Sequence, residues 1–277
     1  MESPNKPNMI NGREKMRRNI SLAKVAGWIT LSLGCLSLIV SIVYNSQILA
    51  FIGLGLTFWG IILIYIRSEE YVKGSLLNAT SLSTFATLNQ IIQELGYREK
   101  AIYLPPKYLK DPESNKAYIP KNNLSKLPTP EQIWEKENKL FIENPQGILL
   151  IPPGSELTRL FEKTLQTSFT KVDLQYLQLN MPKLFVEELE IAQNLDINIE
   201  NNKVHVKIEN SNYLSLAKEA AKFSELYEST GCPLSSSIAC ALAKATGKPV
   251  IIEKQQINEE EKTIEIEYRL IEEEEKT

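Results

Sequence analysis

Residues that build metal sites and disulfide frameworks are scarce in this sequence. Its 277 residues include three cysteines and one histidine. Cys35 lies in an apolar run, while Cys232 and Cys240 stand at helical spacing, so the sequence contains no CxxC motif and no cluster of cysteine with His205. We therefore expect no disulfide framework, no metal site and no cofactor.

Charged residues are missing from one long stretch. No Asp, Glu, Lys, Arg or His occurs between Val25 and Ile66. Residues 22–66 form two apolar runs around the polar turn Asn45–Gln47, and each run is long enough to cross a hydrocarbon core about 30 Å thick. We predict a two-helix transmembrane hairpin here. A cleaved signal peptide is the alternative, but it would have a shorter apolar stretch and no second run.

The positive charge is concentrated before the first apolar run. Residues 1–24 contain six Lys or Arg and two Glu, a net charge of +4, which leaves −7 for the rest of the chain. Because Lys and Arg beside a span stay in the cytoplasm, residues 1–21 are predicted to be a basic cytoplasmic segment, with both termini cytoplasmic. The expected location is the cell membrane, and the expected partner is the lipid bilayer. The acidic remainder would repel phosphate, so we expect no nucleic-acid partner.

Small residues repeat at intervals of three and four in both apolar runs. If the chain reverses at Asn45–Ser46, the two stripes of small residues face each other along their whole length. Small side chains let two helix backbones approach and gain dispersion contacts. We predict an internal seam formed by Gly27 and by the opposed pairs Thr30–Gly60, Gly34–Thr57, Ser37–Gly53 and Ser41–Ala50.

The rest of the chain has the alternating pattern of a soluble α+β protein. Residues 67–98 predict a helix, either a stalk or the first helix of the domain, 99–271 predict the domain itself, and 272–277 predict an acidic tail. Hairpins separated by helices indicate an antiparallel sheet with helices on one face. Strands are expected near residues 100–104, 116–120, 140–143, 147–151, 197–200, 203–209, 250–257 and 263–271.

Three other segments of the domain have predictions of their own. Residues 121–137 are polar and contain prolines, which predicts a flexible connector with Trp134 as its only large apolar anchor. Residues 212–230 predict one helix that ends at a glycine. The next helix is predicted over residues 233–246.

One candidate binding site lies where that helix begins. Cys232 and Ser235 precede or open the helix, and a helix N-terminus favours anions and lowers the pKa of a thiol. A nucleophilic Cys232 would need His205 as its base. The structural alternative is that Cys232 packs in the core and Ser235 caps the helix.

A second candidate site lies at Gly154 and Ser155, which follow two prolines and open another predicted helix. Free backbone N–H groups at such a helix start can bind phosphate. The sequence lacks the GxxxxGK[ST] pattern, however, and a strand-to-helix turn needs glycine and proline even without a ligand. The candidate ligand-binding residues are therefore Gly154, Ser155, Cys232 and Ser235, and no residue is assigned a catalytic role.

Residues 231–271 read GCPLSSSIACALAKATGKPVIIEKQQINEEEKTIEIEYRLI. They are similar to the closing helix and two strands of vinyl-reductase-type domains, which are small-molecule-binding modules related to the trafficking-complex fold. The whole chain also resembles uncharacterised archaeal proteins that join two membrane helices to such a domain. Vinyl-reductase-type domains often have cysteines in the last two strands, where this chain has Gln255, Gln256, Glu261 and Lys262. The resemblance therefore implies a ligand-binding module without a metal or thiol role.

The sequence predicts a membrane-tethered, non-catalytic module that binds a small ligand or a protein partner through its cytoplasmic domain. One alternative is a membrane-associated hydrolase or a thiol-dependent enzyme that uses Cys232. Another is a structural subunit of a membrane complex. The sequence does not indicate the oligomeric state.

Overall fold

The residues that the computed structural model describes are 10–65, 74–122, 127–136 and 139–272. The chain divides into two compact units, Met1–Lys73 and Gly74–Thr277. Parts of several predicted segments lie outside the described residues, namely 1–9 of the basic segment, 66–73 around the start of the predicted stalk, 123–126 and 137–138 of the predicted connector, and 273–277 of the acidic tail.

The part of the first unit that the structure describes is a hairpin of two helices. Helix α1 spans Ile10–Tyr44 and helix α2 spans Gln47–Tyr65. Asn45 adopts a positive φ of 49°, and the amide of Ser46 donates to the carbonyl of Ser41, so the chain reverses within two residues. The segments Val25–Tyr44 and Gln47–Tyr65, with mean hydropathies of 2.0 and 2.3, are long and apolar enough to cross a membrane.

In its described residues, the second unit is built on one sheet of eight strands. The strands are β1 (Ile102–Tyr103), β2 (Ala117–Pro120), β3 (Phe141–Glu143), β4 (Gln146–Leu150), β5 (Asn194–Glu200), β6 (Lys203–Glu209), β7 (Val250–Asn258) and β8 (Thr263–Leu270). Their order in the sheet is β3-β4-β2-β1-β7-β8-β6-β5, and every neighbouring pair is antiparallel. The prediction of an α+β fold behind two apolar N-terminal helices is therefore confirmed.

The described helices of this unit are α3 (Gly74–Leu95), α4 (Pro130–Lys136), α5 (Ser155–Thr164), α6 (Leu174–Lys183), α7 (Leu214–Ala221), α8 (Ser224–Thr230) and α9 (Pro233–Thr246). Short 3-10 turns occur at Pro106–Tyr108 and Phe169–Lys171, and α6 continues into one π turn at Leu184–Glu188. Phe85 and Ile92 of α3 lie in the main core, and Asn89 Oδ1 accepts a hydrogen bond from the amide of Leu226. Helix α3 is thus part of the second unit.

The two faces of the sheet are covered differently. On the first, which we call the helix-side face, alternate strand residues such as Val206 and Ile266 form the main core with α3 and α5 to α9. On the other face, a second core that includes Tyr118 and Ile133 lies over β3, β4, β2 and β1. Over β7, β8, β6 and β5 the same face carries polar side chains, and we call this part the open face.

The predicted connector contains helix α4, so the prediction of a flexible segment is wrong at residues 130–136. Ile133 is fully buried in the second core, whereas Trp134 is 39% exposed. The anchor is therefore Ile133. The amide of Thr129 donates to Gln132 Oε1 at 2.8 Å, which caps the start of α4.

The prediction of one helix over residues 212–230 is also wrong. The structure has two helices, α7 and α8, because Phe223 between them leaves the helical conformation, with φ −94° and ψ 72°. Phe223 packs against the main core. The break follows from this tertiary contact, since the local sequence contains neither proline nor glycine at that point.

Candidate functional site

The hairpin brings the predicted seam residues together. Among residues 25–65, those that are buried are Gly27, Gly34, Ser41, Gly53 and Gly60. Gly34 lies against Thr57, so a methyl group on Gly34 would collide with the Thr57 backbone and hydroxyl. Gly53 lies against Leu38 and Gly60 lies against Leu31. Each contact is one residue further along α1 than the predicted partner, which was Ser37 for Gly53 and Thr30 for Gly60.

The hydroxyl groups of the seam are satisfied within the hairpin. Ser37 Oγ donates to the carbonyl of Leu49 across the seam at 3.1 Å. Thr57 Oγ1 and Thr30 Oγ1 donate to carbonyls one turn back, at 2.7 and 2.8 Å. Ala50 is half-buried. No polar group of the seam needs lipid or water as its partner, which suits a pair of closely packed helices.

Cys232, one of the candidate ligand residues, is the N-cap of α9. Its Sγ accepts a hydrogen bond from the amide of Ser235 at 3.5 Å, and Ser235 Oγ donates to the carbonyl of Cys232 at 3.0 Å. The prediction that Ser235 caps this helix is therefore wrong. Because Pro233 is suited to the first helical position, the helix begins two residues before Ser235 and the thiol takes the cap position.

The sheet separates Cys232 from His205. Val204 and Val206 point into the main core, so His205 between them points to the open face. Cys232 is 1% exposed and lies in the main core. The thiol and the imidazole are consequently not brought together, and a thiol-dependent mechanism has no base at this position.

Gly154 and Ser155 meet the first turn of α9. The amide of Gly154 donates to Ser236 Oγ at 3.0 Å, and a side chain on Gly154 would collide with the backbone of Pro233 and Ser237. Ser155 is the first residue of α5, and its Oγ accepts from Asn115 Nδ2 at 3.3 Å. The amide that would bind phosphate is already used, and no room is left for an anion beside it.

Both candidate sites thus belong to one buried polar network between α5, α9 and β8. Tyr268 Oη donates to the carbonyl of Ser235 at 3.0 Å, and Thr158 Oγ1 donates to that of Ser237 at 3.1 Å. The side chains of Ser235 and Ser237 are fully buried. Burial raises the pKa of Tyr268 well above its ordinary value, which keeps its hydroxyl a donor. Such a satisfied network specifies packing and leaves no group for a ligand.

Sequence reasoning missed a buried ion pair at the other end of α9. The Lys244 side chain is 2% exposed, and its Nζ lies 3.0 Å from Glu162 Oε2 of α5. The same Nζ donates to the carbonyl of Glu113 at 3.0 Å. One feature of the sequence could have indicated this pair: Lys244 is the only charged residue in an otherwise apolar and hydroxyl-rich helix. A lysine in that setting is buried only when it is paired.

A second missed feature is a β-bulge in β7 opposite β8. The register shifts between Ile252 and Lys254, so Glu253 is the extra residue. Lys100 Nζ donates to the carbonyls of Ile252 and Glu253 at 3.0 and 2.7 Å. Burial lowers the pKa of Lys100 from its ordinary value, although Glu228 and Glu253 act in the opposite direction. A cavity of about 220 Å³ beside Lys100 is also lined by Tyr227 and Gln255.

The bulge adds the carboxylate of Glu253 to the charged side chains of the open face. Lys203 Nζ lies 2.5 Å from Glu267 Oε1 and 3.1 Å from Glu253 Oε2. Arg269 Nε lies 2.6 Å from Glu253 Oε1. A hydrogen bond from Lys203 lowers the pKa of Glu267, and the reciprocal bond raises the pKa of Lys203. The four side chains form one ionic network across β6, β8 and β7.

Beside this network the open face forms a shallow hollow of about 380 Å³. The strand register defines two rows of side chains across β5, β6, β8 and β7. In that order, the first row is Asn198, His205, Glu267 and Lys254, and the second is Asp196, Lys207, Glu265 and Gln256. These residues line the hollow, and the rows contain no Phe, Tyr or Trp side chain.

Within the residues that the structure describes, no group of three or more His, Cys, Asp or Glu side chains is arranged to hold a metal ion. A family described as Domain of unknown function (DUF7982) matches residues 11–270, which run from α1 to the end of β8. No curated protein and no solved structure matches the chain. The comparisons thus support an uncharacterised family but neither an archaeal origin nor the resemblance to vinyl-reductase-type domains. The chain belongs to the DUF7982 family, whose function is unknown.

Proposed function

We propose that this protein is a membrane-tethered, non-catalytic binding module, in which α1 and α2 cross the cell membrane and the open face of the sheet binds a protein partner. The observation that carries the proposal is the open face itself. Four strands present two rows of polar side chains on a face that α4 covers only at the other end of the sheet.

The membrane part of the proposal is supported by the exposure of the hairpin. Only 17% and 11% of the two apolar segments are buried within the hairpin, so large side chains such as Phe51 and Ile42 face outward. Exposed apolar surface of this extent needs lipid or another protein to cover it. The basic residues before the apolar segment Val25–Tyr44 favour an orientation with both termini in the cytoplasm.

The choice of a protein partner follows from the shape and chemistry of the surfaces. The cavity beside Lys100 has a volume of about 220 Å³, which is below the roughly 300 Å³ at which pockets for drug-sized ligands begin. The hollow on the open face is broader and shallow, and it is lined by charges of both signs. Mixed charges on a rigid surface give specificity for a complementary protein surface.

Three other functions have less support. A small ligand would bind in the hollow or beside Lys100, and it would be polar, because Lys100, Tyr227 and Gln255 present polar groups there. An enzyme that uses Cys232 would need a base other than His205, since the sheet lies between the two. A structural subunit of a membrane complex would use the outer faces of the hairpin.

The experiment that tests the proposal is site-specific photocrosslinking of the full-length protein in its native membrane. A photoreactive residue replaces Asn198 or Glu265 on the open face, and the matched control replaces exposed Lys163 on α5. We expect protein adducts at the first two positions only, and we expect Glu267→Lys to remove them. Adducts that are equal at all three positions, or that survive the charge reversal, would contradict the proposal.

A further inference from the structure

We propose that the partner of the open face is a second copy of this chain, packed face to face so that β6 of each copy lies over β8 of the other. This inference rests on the proposed function, because it names the partner of the same surface. The charge pattern of the open face is the observation that points to a copy.

The two central strands of the open face differ in their balance of charge. On this face β6 carries Lys203, His205, Lys207 and Glu209, and β8 carries Thr263, Glu265, Glu267 and Arg269, so basic side chains predominate on β6 and acidic ones on β8. The register sets Lys207 beside Glu265 and His205 beside Glu267, and Lys207 Nζ also lies 3.1 Å from Glu209 Oε1 on its own strand. These cross-strand pairs stabilise the sheet in one copy, and they also make its surface a repeating array of positive and negative charges.

A two-fold axis that lies in the interface, parallel to the strands and between β6 and β8, makes this array self-complementary. It places Lys207 of each copy over Glu265 of the other, and His205 over Glu267. Each contact occurs twice because a two-fold interface is isologous. On the outer strands, the same operation sets Asn198 over Lys254, which allows a hydrogen bond from the ammonium group to the amide oxygen.

A third row of the register, which sets Lys203 beside Arg269, does not oppose this arrangement. There, Lys203 of one copy would lie over Arg269 of the other. Both cations are already neutralised within their own copy by Glu253 and Glu267, with oxygen–nitrogen distances between 2.5 and 3.1 Å. An axis perpendicular to the strands would instead set Glu265 over Glu267, and that like-charge contact is unfavourable.

The expected contact is weak and electrostatic. Four strands of about seven residues present roughly 400 Å² per copy, given a strand spacing of about 4.8 Å and a rise of about 3.3 Å. A standard interface takes about 800 Å² from each partner. Two copies held in one membrane gain a high effective concentration, which offsets the small area. Because the charges are exposed, salt should weaken the contact.

The test uses charge reversal on full-length protein reconstituted in lipid vesicles, with one population labelled by a fluorescence donor and another by an acceptor. We expect energy transfer between wild-type copies, and at least a tenfold weaker association for Lys207→Glu alone and for Glu265→Lys alone. A mixture of the two variants should restore the association and the energy transfer, because one copy then presents two acidic side chains to the two basic side chains of the other. The control Lys163→Glu should retain wild-type transfer.

The mixture also guards against a trivial loss of folding, since a misfolded variant would not regain association with its counterpart. The double variant Lys207→Glu/Glu265→Lys should associate like the wild type. The inference is overturned if either single variant associates normally, or if the mixture and the double variant both stay dissociated. Such results, combined with adducts of a different protein at Asn198 and Glu265, would leave the proposed function standing.

Discussion

At the scale of residues, the groups most suited to chemistry are withdrawn from solvent. Cys232 caps a buried helix start, and Cys240 lies further along the same helix within the main core. Burial raises the pKa of the Cys240 thiol to about 12. A buried thiol that remains protonated is a poor nucleophile and behaves as a small apolar side chain.

We therefore expect Cys232 and Cys240 to resist alkylation by iodoacetamide at pH 8 in the folded protein, because neither thiol is accessible and that of Cys240 stays protonated. Mass spectrometry of the peptides would measure the labelled fraction before and after denaturation. Both thiols should react fully once the protein is unfolded. Rapid labelling of Cys232 in the native state would contradict its assignment as a buried cap and would revive the thiol-dependent reading.

Lys244 provides a second prediction at this scale. Lys244→Met should lower the free energy of unfolding by about 3–5 kcal/mol, because Glu162 would remain buried without a counter-charge. The Glu162 side chain is 11% exposed. The matched control is Lys222→Met. Lys222 and Glu219 form an exposed ion pair at the C-terminal end of α7, and loss of this pair should lower the free energy of unfolding by less than about 1 kcal/mol. Urea unfolding curves would measure the free energy of unfolding of both variants. Equal losses in the two variants would mean that the Lys244–Glu162 pair is not buried in solution.

At the scale of elements, close approach depends on the absence of a side chain. Gly34 contacts Thr57 across the seam, and Gly154 contacts the first turn of α9. Gly55, by contrast, has nothing within 4 Å of the position where a Cβ would be. Within the hairpin, a larger side chain would therefore collide with the other helix at Gly34 but would meet no neighbouring atom at Gly55.

This difference gives a matched pair of variants. Gly34→Leu should separate α1 from α2, because the new side chain would occupy the space of Thr57, whereas Gly55→Leu should leave their spacing unchanged. Spin labels on the two helices would measure the distance by pulsed electron paramagnetic resonance in vesicles. A third variant, Leu36→Ala, removes an outward side chain and should also have little effect. An unchanged distance in Gly34→Leu would rule out the close-packed seam.

At the scale of the whole molecule, the chain consists of two units with different means of stabilisation. The hairpin buries little of its own surface, while the second unit has a main core and a second core on opposite faces of one sheet. The number of residues in the second unit is ample for an independent hydrophobic core. We therefore expect that its stability does not require the hairpin.

Accordingly, residues 74–277 expressed alone should give a soluble, cooperatively folded protein. Thermal unfolding followed by circular dichroism should be unaffected by a chelator or a reductant, because the described residues hold no metal cluster and the cysteines are free. A fragment that aggregates unless the hairpin is restored would show that the two units stabilise each other.

Local patterns were sufficient to predict much of the fold. The charge-free stretch from Val25 to Ile66 indicated the helical hairpin, and the alternation in residues 197–209 indicated β5 and β6. Helix α9 was predicted over its observed range because Pro233 and Gly247 mark its two ends. Each of these signals lies in neighbouring residues, so no knowledge of the rest of the chain is needed to recognise it.

The tertiary structure alone decided what the candidate groups can do. Alternation shows that a strand has two faces, but strand order determines that Cys232 and His205 lie on opposite sides of the sheet. The bulge at Glu253 and the pairing of Lys244 with Glu162 join residues that are far apart in sequence. Burial and hydrogen bonding depend on which distant elements pack together, and local sequence patterns do not contain that information.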